Sequence, residues 1–154
     1  MATTYTPIAT TTASGAVTFS SIPSTYTDLI LIVKNSSAST GVNNTIRVNS
    51  DTGTNYSSTQ VYGSGGGSPG SSRVTSGSNS WGGIAGADSI SIIQFMNYAN
   101  TTTYKTWIGR GSGPNNYITI DVNLWRNTAA INSIYIDSGA AAGSTFTLYG
   151  IKAA

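Results

Sequence analysis

A chain of 154 residues suits one domain around one hydrophobic core. The apolar share of 38% allows such a core, but the charged share is 8%, far below the roughly 25% of an average soluble domain, so Ser, Thr, Asn and Gly must cover the surface. The net charge of +2 rests on cations spread from Lys34 to Lys152, which excludes the clustered basic surface that nucleic-acid phosphates require.

The opening "MATTYTPIATTTASG" has neither a basic start nor an apolar run, so it does not read as a signal peptide. Synthesis in the cytoplasm without classical export is expected. Residues 1–15 are expected to form an extended N-terminal arm or edge segment, with Pro7 keeping it out of a central strand. Residues 16–154 are expected to form one domain. Its apolar period is two, not 3.6. "AVTF" (16–19) is a short strand, and "TDLILIVK" (27–34) is a continuous apolar run that reads as a central strand buried on both faces. "TIRVN" (45–49) and "STQVYG" (58–63) are two further short strands. The stretch 49–55 between them sets Asn49, Asp51, Gly53 and Asn55 at every second position. That spacing invites comparison with a calcium loop, but the glycine falls too early and the chain has no Glu to close the coordination. A turn joining two strands as a hairpin is the better reading, with Asp51 making an Asx-turn.

Residues 63–83, "GSGGGSPGSSRVTSGSNSWGG", contain almost nothing apolar except Val74 and Trp81 and read as one long Gly/Ser-rich loop, with Trp81 as its anchor. "DSISIIQFMN" (88–97) and "YKTWIGR" (104–110) resume the strands. "YITIDVNLW" (117–125) alternates cleanly: Ile118, Ile120, Val122 and Leu124 fall on one face, taken as the core side, and Thr119, Asp121 and Asn123 on the other. "INSIYID" (131–137) and "STFTLYGIK" (144–152) are rich in β-branched and aromatic residues. The expected fold is all-β: an antiparallel β-sandwich, jelly-roll-like, with about eight or nine strands, a small barrel being the alternative. No apolar stretch approaches the roughly 18 residues of a membrane span, so no membrane partner is expected.

Chemistry is sparse. The chain has no His, Cys or Glu, which removes catalytic triads, thiolate chemistry and His general bases. Asp28, Asp51, Asp88, Asp121 and Asp137 are the only carboxylates of the side chains, and each reads as a strand-end or strand-face residue rather than half of a glycosidase pair. No catalytic residue, metal ligand or cofactor is expected. Pro7, Ile8, Arg73 and Trp81 are the candidate partner-contact or loop-anchor residues, because the arm and the long loop are the segments free to reach a neighbour.

Three segments together, "FSSIPSTYTDLILIV" (19–33), "RVNSDTGTNYSSTQVYG" (47–63) and "STFTLYGIKAA" (144–154), resemble small β-rich modules in structural proteins of tailed bacteriophages. The resemblance implies a non-enzymatic virion component on the outer surface of the particle. Within that class the expected role is a capsid decoration (cement) protein that stabilises the shell through protein–protein contacts, with the major capsid protein and itself as partners in a homotrimer. The alternative is a tail-fibre or receptor-binding module that recognises host-surface glycans. A polysaccharide depolymerase is a distant third.

Overall fold

The computed structural model describes residues 4–36, 42–114 and 117–152. They form twelve strands and no helix. Eight strands make one sheet, in the spatial order β1 (Tyr5–Ala13), β12 (Ser144–Ile151), β3 (Asp28–Lys34), β8 (Ile90–Met96), β9 (Lys105–Gly113), β10 (Tyr117–Trp125), β5 (Tyr56–Ser64) and β6 (Gly70–Gly77). The second sheet runs β2 (Val17–Phe19), β11 (Ile134–Asp137), β4 (Val42–Val48) and β7 (Ser80–Ala85). Every neighbouring pair is antiparallel, and the two sheets pack as a β-sandwich.

The core lies where the small sheet covers the large one. Leu29, Leu31 and Val33 of β3, Ile93 and Phe95 of β8, Trp107 of β9 and Phe146 and Leu148 of β12 meet Ile46, Val48, Ile134 and Ile136 of the small sheet, all fully buried. The continuous apolar run 27–34 is a central strand between β12 and β8, as expected, but it is not buried on both faces: Leu29, Leu31 and Val33 face the core, while on the other side Ile32 is half-buried and Lys34 exposed. Lys105 is also inside. It shares the inward side of β9 with Trp107, and its ammonium donates to the carbonyls of Thr103 (2.7 Å) and Thr128 (3.0 Å). Burial pulls its pKa down from the ordinary lysine value.

One expectation is sharpened and two change. The arm of residues 1–15 contains a strand, β1, which pairs with β12 along its length. Pro7 sits there at the sheet edge, where its missing N–H costs no ladder bond, and the register shifts between Pro7 and Ala9 around Ile8, which is half-buried against the core. The segment 63–83 is not one loop either. It contains β6 and the start of β7, which have little apolar content because main-chain pairing with β5 and β4 holds them.

The stretch 49–55 is not a hairpin: β4 belongs to the small sheet and β5 to the large one, so it is a crossover between sheets. Its polar side chains pin that crossing. Asp51 Oδ1 accepts from the Gly53 N–H (2.8 Å), the expected Asx-turn, while Oδ2 accepts from Asn55 Nδ2 (2.9 Å) and Trp125 Nε1 (2.6 Å). Burial pushes the Asp51 carboxyl up, but the donors of Trp125, Asn55 and Gly53 outweigh it and hold the pKa below the usual value. Asn49 takes a positive φ of 52° and accepts from the N–H groups of Asn132 (2.8 Å) and Ser133 (3.2 Å). With three donors already on Asp51, a cation would have to displace the groups that close the turn.

Candidate functional site

The strand that alternates most cleanly has its faces exchanged relative to expectation. On β10, Thr119, Asp121 and Asn123 are buried, while Ile118, Ile120 and Val122 are 62%, 52% and 54% exposed. The cause is β7. As the edge of the small sheet it lies against β8, β9 and β10, and its free N–H groups need acceptors. The large sheet supplies them as side chains. The Gly83 N–H donates to Asp121 Oδ2 at 2.6 Å, and the Trp81 N–H donates to Asn123 Oδ1 (3.2 Å) and Ser58 Oγ (3.3 Å). Gln60 Nε2 and the Thr119 hydroxyl donate to Asp121 Oδ1 at 2.8 and 2.9 Å, and Ser58 Oγ donates to Asn123 Oδ1 at 2.7 Å. A buried polar network therefore fills this half of the interlayer space. Burial raises the Asp121 pKa, against the opposing pull of Gln60, Thr119 and Gly83.

The close approach also needs glycine. A Cβ on Gly109 of β9 would stand 2.9 Å from Asp121 Oδ2 and 3.3 Å from the backbone of Gly82 and Gly83. Gly83 itself has φ +87°.

With the polar side chains turned inward, the alternate side chains of the large sheet face out. The register sets them in straight rows across the strands. One row runs Ile32, Ile92, Arg110, Ile120 and Val61 across β3, β8, β9, β10 and β5. The next runs Ile30, Gln94, Ile108, Val122 and Thr59. On the other side lie Lys34, Ile90, Ser112, Ile118 and Gly63. Val61, Ile90, Ile108, Ile118, Ile120 and Val122 are all at least 40% exposed, so among the described residues six of the eight large exposed hydrophobic residues share this one face. Contiguous apolar surface of this kind marks an interaction site, whereas scattered exposed residues do not. Arg110 is a charge in the middle of the patch, with Ile92 and Ile120 directly beside it on the neighbouring strands, while Lys34 lies at its corner. Shallow hollows in the face are lined by Ile90, Ile92 and Arg110 at one end and by Val61, Pro69, Ile118 and Ile120 at the other.

The four residues singled out from the sequence are not brought together. Pro7 and Ile8 are on β1 at one edge of the large sheet. Arg73 is exposed on β6 at the opposite edge, paired with Thr59 at the margin of the apolar face. Trp81 is half-buried on β7, where it pairs with Thr45 of the small sheet. The apolar face was missed because its isoleucines were assigned to the core. Among the described residues, no three His, Cys, Asp or Glu side chains gather as they would to hold a metal ion.

No protein-family model matches the chain, and comparison with curated proteins finds no match. Among solved structures, the chain shows a faint similarity to a legume lectin-like domain from Entamoeba histolytica: 9% identity and a TM-score of 0.29, over 98% of this chain and 85% of that one.

Proposed function

We propose that the protein is a structural, non-catalytic component of a bacteriophage virion, a capsid decoration protein that stabilises the shell through protein–protein contacts with the major capsid protein and with copies of itself. The observation that carries this reading is the contiguous exposed apolar face of the eight-stranded sheet, a kind of surface associated with protein contacts. Two further features support it. The surface elsewhere is neutral and rich in hydroxyl and amide groups, and the resemblance of three separate segments is to tailed-phage structural modules.

Electron microscopy of particles, with the protein located by a fused tag or by antibody, tests the role. Density spread over the shell is expected. Density confined to the tail would overturn the decoration role and leave the alternative, a fibre-tip module that binds host-surface glycans.

A further inference from the structure

We infer that the apolar outward face pairs with the same face of a second copy of this chain, about a twofold axis that runs along the strands between β9 and β10. The inference rests on the assembly role proposed above and names the partner for that face.

A twofold contact requires a self-complementary surface. The register shows one about the β9–β10 boundary. Ile108 and Val122 stand directly opposite each other across it. One strand further out on either side, Ile92 of β8 and Val61 of β5 occupy the same row. In the row beyond, Ile90 of β8 matches Gly63 of β5. Rotation about the boundary therefore lays Ile108 on Val122 of the second copy and Ile92 on its Val61. It also lays the large Ile90 on the small Gly63.

Size agrees. The axis lays six strands of one copy, β3 to β6 in the sheet order, over the same six of the other, and at ~4.8 Å spacing with three rows at ~6.8 Å this gives roughly 600 Å² per copy once side-chain width is included. Two such faces reach about 1,200 Å² in total, the low end of specific protein–protein interfaces. Two flat sheets packed face to face also form the ordinary layered arrangement of β proteins. The self-matching pattern favours a twofold pair over the threefold assembly that the resemblance implies.

Arg110 makes the inference sharp. In this arrangement it lies over Ile120 of the second copy, and the two Arg110 side chains flank the axis as like charges in an apolar surround. A foreign partner suited to this face would instead offer Arg110 a carboxylate. Removing the charge therefore strengthens a pair of identical copies and weakens a complex with an acid-bearing partner.

Sedimentation equilibrium of the purified chain tests the pairing without any virus particle, so its outcome is independent of where the protein sits on the virion. At about 100 µM the chain should be a dimer of its 15.8 kDa unit. Val122→Asp, at an exposed position, should stay folded by circular dichroism and be monomeric, while Thr18→Glu on the small sheet should remain dimeric. Arg110→Leu should lower the dissociation constant at least several-fold. A monomer or a trimer for the parent chain, an unaffected Val122→Asp dimer, or weaker association of Arg110→Leu would each overturn the inference.

Discussion

Replacing Asp121 with Ala should destabilise the protein by about 3–5 kcal/mol, because it orphans buried donors on three different segments. The carboxylate holds the Gly83 N–H of β7, the Gln60 amide of β5 and the Thr119 hydroxyl of β10 at 2.6, 2.8 and 2.9 Å. An alanine methyl can accept none of them, and the site has no exposure through which water could do so cheaply. The measurement is denaturant unfolding at neutral pH, and in a chain of this size the Tm should fall by roughly 10 °C. A loss under about 1 kcal/mol would mean that β7 is not held by this carboxylate. The linkage has a definite sign. Burial raises the folded-state pKa of Asp121, so the folded chain holds this proton more tightly than the unfolded chain. Its contribution favours folding in acid and is lost as pH rises from the ordinary carboxylate range through the raised value.

Trp107→Ala should cost a comparable amount, about 3–5 kcal/mol, by a different mechanism. The indole is fully buried beneath β9, 5.2 Å from the Phe95 ring and 6.4 Å from the Tyr56 ring. Deleting it opens a large void between rings that cannot collapse, since both belong to paired strands on either side. Its Nε1 has no acceptor among the described residues. Trp107→Phe therefore gives up no hydrogen bond and should recover most of the loss. Equal destabilisation by Phe and Ala in chemical denaturation would contradict this account of the core.

Both predictions depend on a feature the sequence hides. Period-two alternation made the strands legible, and the continuous run at 27–34 correctly marked a central strand. All-β class and sandwich architecture follow from that pattern together with the turn residues. What alternation cannot say is which of its two faces turns inward. For "YITIDVNLW" the ordinary rule buries the isoleucines. Here the edge of β7 needs acceptors, and Asp121 and Asn123 turn inward to provide them. The glycines of "SWGG" and Gly109 were the available signal, because two adjacent backbones approach closely only where side chains are missing. β6 was hidden for a related reason. It is held by main-chain pairing with β5, and "GSSRVTSG" has little apolar content to announce it. The crossover at 49–55 looked like a hairpin because local turn chemistry is the same whether the chain returns to its own sheet or passes to the other. The consequence for function is direct: isoleucines read as core form the exposed face on which the proposed assembly rests.

The outward turn of those isoleucines can be measured on the isolated chain, which has no native cysteine. Ile118→Cys and Thr119→Cys place single thiols at adjacent positions that are 62% and 2% exposed. Labelling with a water-soluble maleimide at high dilution, where the face is uncovered, should modify the thiol at 118 nearly as fast as in the denatured chain. The thiol at 119 should be protected by about a hundredfold or more, in keeping with opening of a buried strand. Fast labelling at 119 with protection at 118 would restore the isoleucines to the core and remove the face on which the proposed assembly depends.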